Sequence, residues 1–186
     1  ARREGKSAVT IDQGTRIVLT DGTELLPDAN HPGVVFVRAP GTIQGQVILQ
    51  GRNEHSGVAV ASALSSTHTD RQQTDREGRF TVTASHGEGF YTLVLSMPGY
   101  LSAESDRPLK VTMTSVINVG QITLFGGDVN GDNRIDVRDL SFVAWHFDDD
   151  DTRADVNGDG QVDILDLTLT AGNFGRVGPT TWHVPD

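Results

Sequence analysis

Two acidic stretches in the last third of the chain repeat the same arrangement of oxygen-bearing side chains. One runs from Asp128 to Asp139 and the other from Asp155 to Asp166, at a constant offset of 27 residues. Each carries Asp or Asn at positions 1, 3, 5, 9 and 12 of a twelve-residue frame. These are Asp128, Asn130, Asp132, Asp136 and Asp139 in the first frame, and Asp155, Asn157, Asp159, Asp163 and Asp166 in the second. Position 7 is Arg134 or Gln161, each able to offer its backbone carbonyl. A tight loop that presents alternate residues aims them all at one point, where a hard cation takes about 6–8 oxygens. Four carboxylates per loop would repel one another without such a cation. The number of donors suits the larger, looser shell of calcium better than that of magnesium, so two Ca2+ ions are expected.

This is the ligand spacing of an EF-hand loop. Position 6 must tolerate a left-handed backbone; Gly160 does so freely, and Asn133 is the best substitute for glycine. Position 8 is apolar in both loops, Ile135 and Val162, which predicts that the loops pair side by side. Position 12 is Asp where a Glu would be usual, and its shorter arm must bring the exiting helix closer to the ion. An amphipathic stretch follows each loop. Leu140, Val143, Ala144 and Phe147 fall at i, i+3, i+4 and i+7, and so do Leu167, Thr170, Ala171 and Phe174. Each set predicts one apolar helical stripe, and the two stripes are expected to pack together. Asp148 to Asp151 reads as a solvated connector. No helix precedes the first loop, because Ile122 to Gly127 reads as strand and then hinge.

The elements that must hold this pair are β-rich. Residues 41–126 alternate apolar and polar side chains over Thr42–Gln50, Gly57–Ser62, Thr67–Gln72, Arg79–Thr83, Phe90–Ser96, Leu109–Thr114 and Gly120–Phe125. Ile43, Gly45, Val47 and Leu49 share one face, as do Tyr91, Leu93 and Leu95. A period of two with one wet face predicts an antiparallel sandwich. Asp75 to Gly78 and Pro98-Gly99 read as turns. Residues 1–40 form a β-rich extension with strands at Ala8–Ile11, Arg16–Thr20 and Val34–Arg38, a turn at Asp12 to Thr15, and a loop from Leu26 to Gly33. That extension could be an added edge of the sandwich or the end of another domain. Residues 127–178 hold the paired loops, and residues 179–186 form a tail.

Composition narrows the function. The chain has 186 residues, 25 acidic and 15 basic, for a net charge of −10. Eight of those ten charges sit in residues 127–178, which hold 12 Asp, no Glu and 4 Arg. Eight carboxylates there are the expected calcium ligands, so the acidity reads as a metal site, and two ions would bring the chain to about −6. Such a charge argues against nucleic acid and anionic membrane surfaces. No apolar run approaches the roughly 20 residues of a spanning helix, and no membrane insertion is expected. No secretory leader is legible, so the address must come from elsewhere. The absence of cysteine removes disulfides, thiolate zinc sites and cysteine nucleophiles.

Catalysis is not expected. Ser85, His86 and Glu88 lie close in sequence, but no nucleophile elbow accompanies them, and they read as a hairpin loop. The six histidines lack zinc spacing, and the glycine-rich stretches match no phosphate loop. The sandwich has no Trp to stack a sugar; Trp145 falls on the first helix and Trp182 in the tail.

A duplicated calcium loop with an exiting helix, Asp at position 12 and Asp-Leu at 139–140 and 166–167 resembles a dockerin over essentially all of residues 127–175. Residues 41–126 resemble a carboxypeptidase-regulatory-like or collagen-adhesin-B-type sandwich, carried by Gly45-Gln46-Val47, Gly57 to Val60, Thr74-Asp75, Gly78 to Phe80, Tyr91 to Leu93 and Gly99-Tyr100. A sandwich directly before a dockerin also resembles the paired X-module and dockerin of scaffold proteins. Together these imply an all-β immunoglobulin-like sandwich followed by a small all-α dockerin. They imply a secreted, extracellular or cell-surface protein, cellulosome-like and tied to polysaccharide catabolism, whose partner is a cohesin module. The contact positions carried over are Val137, Arg138, Trp145 and His146 in the first repeat, and Ile164, Leu165, Gly172 and Asn173 in the second. Loop positions 10 and 11 are Val-Arg in one repeat and Ile-Leu in the other, which predicts one preferred face, the apolar second one. The alternative is a calcium-stabilised cap or stalk that packs within the chain and has no outside partner. Isopeptide crosslinking, known in some relatives of the sandwich, is not expected with only Lys6 and Lys110 available.

Overall fold

The computed structural model describes residues 17–18, 24–27, 35–65 and 68–185. The expected strand at Ala8–Ile11 and the turn at Asp12 to Thr15 lie outside them. Strands β1 (Ile17–Val18), β2 (Glu24–Pro27) and β3 (Val35–Arg38) form a small antiparallel sheet in the order β1-β2-β3. Leu26 and Pro27, read above as loop, close β2 opposite Phe36 and Val35. Pro27 lies beyond the reach of β1, which pairs only with Glu24 and Leu25, so it has a strand neighbour on one side alone.

The body of the chain is a β-sandwich. One sheet is built from β4 (Thr42–Leu49) between β7 (Arg79–Thr83) and β12 (Val116–Leu124), in the order β12-β4-β7. Strand β7 is antiparallel to β4 but β12 is parallel to it, so the sandwich is mixed and not the antiparallel one expected. The facing sheet contains β5 (Ala59–Ser65), β6 (His68–Gln73), β8 (Gly89–Ser96), β10 (Ala103–Ser105) and β11 (Leu109–Val111). Its order is β10-β8-β5-β6, with β11 also on β8. The period-two faces read from sequence are buried as expected. Ile43, Val47 and Leu49 meet Tyr91, Leu93 and Leu95 in one core. Strand β12 starts four residues earlier than expected. Gly120 takes a positive φ of 76° and accommodates a register shift between Asn118 and Gln121. The bulge moves the inward positions from Val119 to Ile122 and Leu124.

The last residues are not a free tail. Strand β14 (Thr180–Trp182) pairs in parallel with β10, Ala103 opposite Thr180. Val184 enters the sandwich core and Trp182 packs against it. The Arg107 guanidinium donates to the carbonyls of Val184 and Pro185. Residues 129–179 are therefore threaded between two strands of the same β body. Their entry is β13 (Gly126–Asp128), which pairs antiparallel with β9 (Gly99–Tyr100).

Two nine-residue helices follow, α1 (Val137–Trp145) and α2 (Ile164–Gly172). Each begins with a reciprocal cap. Asp136 and Asp163 accept from the amides of the first turn, while Asp139 and Asp166 accept from the cap residue's own N–H. The carboxylates thus stop the loop and start the helix at once. The buried side of the pair is made by Val143, Ala154, Val156 and Val162, with Phe142, Leu167 and Leu169 packed on it. This corrects the expected stripes: Ala144, Phe147, Ala171 and Phe174 are exposed. Val143 and Thr170 face inward, Phe147 and Phe174 lie past the helix ends at Trp145 and Gly172, and the core is completed by Val156 and Val162 from loop two.

Candidate functional site

Each acidic loop is shaped by side-chain oxygens that accept from its own backbone. Asp128 accepts from the N–H groups of Gly131 and Asn133, both at 3.0 Å. Asp155 accepts from Gly158 at 2.8 Å and Gly160 at 2.9 Å. At the far end Asp139 accepts from Asn130 and Asp136, and Asp166 from Asn157 and Asp163. Asn130, Asp132, Asn157 and Asp159 each accept from the residue two places on. These bonds recur at the 27-residue offset, and the second loop adds one from the Asp159 N–H to Asp155 Oδ1 at 3.2 Å. Asn133 takes a positive φ of 63° and Gly160 one of 96°, as position 6 demanded.

The carboxylates at positions 1 and 12 are buried: Asp128, Asp139, Asp155 and Asp166. Burial pushes the Asp128 carboxyl up, and the nearby Asp139 and Asp132 charges add to the rise. Among the described residues no three acidic or imidazole groups stand together at metal-ligating distance, because the loop carboxylates are turned onto amides. A carboxylate oxygen that accepts one N–H keeps a second lone pair, as each oxygen of Asp128, Asp139 and Asp166 does. Five oxygen side chains and the carbonyl of Arg134 or Gln161 per loop therefore suit a hard divalent cation, which would also relieve the burial of unneutralised carboxylates.

The position-8 residues do not pair the loops with each other. Ile135 exchanges backbone hydrogen bonds with Gly175 and Arg176 after α2, at 2.8 and 3.0 Å. Val162 does the same with Asp148 and Asp149 after α1, at 2.8 and 2.9 Å. Each loop is thus closed by the segment that leaves the other repeat's helix, and Asp148 (φ 68°) and Gly175 (φ 83°) are equivalent left-handed turns. The supposed connector is therefore bonded into the second loop, although Asp148, Asp149 and Asp150 keep their side chains in solvent. Arg153 donates to Asp151 at 2.7 Å and holds that carboxyl well below the usual range.

The sandwich grips this unit from one side. The Tyr100 hydroxyl lies 3.0 Å from the carbonyls of both Gln50 and Val156. Burial pushes the Tyr100 hydroxyl up to about 12, against the opposing pull of Arg52. Arg52 donates to the carbonyl of Val156 at 3.0 Å, and its guanidinium lies 5.6 Å from the Tyr100 ring centre. Ser102 donates from its N–H and its hydroxyl to the amide oxygen of Asn133, at 2.9 and 3.1 Å. Arg176 stacks 4.1 Å from the centre of the Phe125 ring. These sandwich residues had no legible signal in sequence, since Arg52 and Val156 are 104 positions apart.

Of the eight expected contact residues, six are exposed. Val137 is 62% exposed, Trp145 87%, Ile164 61% and Leu165 57%; Arg138 and Gly172 are exposed as well. His146 is half-buried, its ring 4.6 Å from Phe142 and its Nδ1 3.1 Å from Asp149. Asn173 departs from the expectation. It is 2% exposed and donates to Gln50 Oε1 at 2.6 Å and to the Gly126 carbonyl at 2.8 Å. The sandwich covers the end of α2, where in the first repeat the equivalent His146 meets only its own unit. Leu165 also lines a cleft of about 360 Å³ shared with Arg52, Asn53 and Glu54 of the sandwich.

The Ser85 region offers no hydroxyl–imidazole relay. Ser85 donates to Asp70, His86 Nε2 lies 3.6 Å from the same carboxylate, and Glu88 accepts from the Met113 N–H.

Comparison with known proteins agrees with this geometry. Residues 126–171 match the dockerin type I domain family. Two solved complexes resemble the chain more widely. One is an N-terminal interface mutant of a type II cohesin–X-dockerin complex from Acetivibrio cellulolyticus, at TM-score 0.62 and 21% identity. The other is a C-terminal interface mutant of that complex, at TM-score 0.61 and 23% identity. Each alignment covers 74% of this chain and 97% of the other. No curated protein sequence matches the chain. The fold is thus a β-sandwich followed by a region that matches the dockerin type I family, in an arrangement similar to that of the cohesin–X-dockerin structures.

Proposed function

We propose that this chain, a dockerin type I domain with the β-sandwich that precedes and clasps it, is a calcium-dependent docking module that binds a cohesin. Dockerin modules of this kind belong to extracellular assemblies, and the chain is read as a secreted or cell-surface part of one, without catalysis of its own. Asp128, Asn130, Asp132, Asp136 and Asp139, with the Arg134 carbonyl, hold one Ca2+. Asp155, Asn157, Asp159, Asp163 and Asp166, with the Gln161 carbonyl, hold the second. When bound, calcium supplies charge neutralisation and fixes the two capped helices. The loop residues order the backbone, and the EF-hand-like frames place Val137 with Arg138 and Ile164 with Leu165 at the starts of the helices. The sandwich, of immunoglobulin-like class, is the stabilising neighbour. The boundaries proposed are 41–126 for the sandwich, extended by 180–184, and 127–178 for the dockerin.

One observation carries this reading over a purely internal cap. Trp145, Val137, Ile164 and Leu165 remain more than half exposed, and Leu165 does so although it borders a cleft shared with the sandwich. Apolar side chains left out on both helices, Val137 and Ile164 at matched positions, suit a protein partner. The second face is preferred, because Ile164 and Leu165 are both apolar and Leu165 adjoins the sandwich cleft. The test is capture of the purified chain on a panel of cohesin modules in calcium and in EDTA. Retention by at least one cohesin in calcium only supports docking; no retention by any cohesin leaves the internal cap.

A further inference from the structure

The two loops differ at position 6 in a way that glycine tolerance alone does not explain. Gly160 in the second loop is exposed, and a side chain there would meet nothing within 4 Å. Asn133 in the first loop sits at a junction of three segments. Its N–H donates to Asp128 Oδ2 at 3.0 Å inside the loop. Its carbonyl accepts from the Gly178 N–H at 2.9 Å, on the way to β14. Its amide oxygen takes both the N–H and the hydroxyl of Ser102 in the sandwich. The Ser102 carbonyl in turn accepts from the N–H of Thr180, the first residue of β14, at 2.8 Å. The amide of Asn133 also fills the space beside Gly178, where an added Cβ would lie 2.2 Å from Oδ1.

We propose that Asn133 is a latch between the sandwich and the first loop: Ser102 holds its side chain, and through it sets the loop's shape before the cation arrives. This rests on the calcium reading above. A non-glycine residue at positive φ is costly, and here two hydrogen bonds from another domain offset that cost. Preorganisation of a ligand loop appears as affinity, because less ordering remains to be done on binding. The second loop has no such latch at position 6 and is braced from its start instead, by Arg52 and Tyr100 on the Val156 carbonyl. The sandwich therefore tunes the two sites through different residues. By reciprocity calcium in the first loop strengthens the seat of β14.

Asn133→Gly is the decisive variant, since glycine keeps the backbone freedom and removes only the latch. Calorimetric calcium titration of the full chain, with its calcium-induced gain in melting temperature, reads the effect. The latch predicts binding about five- to thirtyfold weaker at one of two sites, the value of one to two hydrogen bonds of about 1 kcal/mol each, and a smaller gain in melting temperature. Ser102→Ala, which loses only the hydroxyl bond, gives a smaller loss in the same direction and serves if the glycine variant does not fold. The double variant is no worse than Asn133→Gly alone, because both changes break one unit. Binding by Asn133→Gly as tight as or tighter than the parent, or additive losses, overturns the latch and leaves the calcium reading intact. A folded parent that takes up no calcium overturns both.

Discussion

The Tyr100 hydroxyl of the sandwich lies 3.0 Å from the carbonyl oxygen of Val156, the second residue of the second acidic loop. That contact sits beside the Gly126 backbone, where an added Cβ would meet Val156 at 2.8 Å and Tyr100 at 3.1 Å. The β body and the repeat unit are thus packed backbone to ring, and the ionisation of one phenol reports on the seam.

Tyr100 keeps its proton to about pH 12, and Tyr91, the only other tyrosine, is also raised by burial and by Asp70. A phenol that ionises later in the folded chain contributes stability that is intact below its unfolded value near 10 and is lost as pH rises toward 12. For Tyr100, held up to about 12 by burial, this amounts to about 2–3 kcal/mol. Ultraviolet titration of Tyr91→Phe is expected to show no tyrosinate until well above pH 10. Urea melts should show stability falling between pH 10 and 12 in the parent, and less steeply in Tyr100→Phe. A normal midpoint near 10 would place Tyr100 in solvent.

The C-terminal strand makes a second prediction. Val184 is 3% exposed in the sandwich core, and Asp106 accepts from the Val184 N–H and meets His183 Nδ1 at 2.7 Å. Removing residues 180–186 is expected to cost the sandwich at least about 2 kcal/mol, from one buried valine and a parallel ladder. The His183 contact holds the Asp106 carboxyl below its usual range. Its contribution is therefore present above about pH 4 and fades as pH falls further. Calorimetry of the truncated chain checks this; an unchanged melt would make the strand a passenger.

The exposed faces give a third. Changing both Ile164 and Leu165 to Asp is expected to weaken cohesin binding tenfold or more, as loss of a central apolar anchor does. The same treatment of Val137 and Arg138 should cost less. Surface plasmon resonance on one immobilised cohesin compares them. Equal losses would contradict a preferred second face.

Much of this was legible in sequence because it is local or periodic. The repeated loop frames and the alternating core of β4 and β8 follow from spacing within a dozen residues. The 27-residue offset extends further still, pairing Asp148 with Gly175 as equivalent turns. What escaped depends on where distant segments meet. Position 8 was expected to join loop to loop, and instead each loop is closed by the chain leaving the opposite helix. Asn173 and His146 are equivalent in sequence, yet only Asn173 faces the sandwich, because a single neighbour must break the symmetry of two repeats. Strand β14 has only three residues, and its parallel partner lies 77 positions earlier, which no local pattern reports.

Calcium removal bears on the repeat unit first. Its hydrophobic core is four small buried residues with four partly buried neighbours, too few to stabilise about 50 residues unaided. In EDTA the helical circular dichroism signal is expected to melt well below the β signal. In calcium the two should rise together through the shared seam. Identical melts in both buffers would leave the acidic loops without a metal role.

The most direct measurement is calorimetric titration of the intact chain into a cohesin that retains it, in calcium and again in excess EDTA. The account predicts one-to-one binding in calcium and none in EDTA. Equal affinity in both buffers, or no binding to any cohesin by a chain that has taken up two calcium ions, would contradict it.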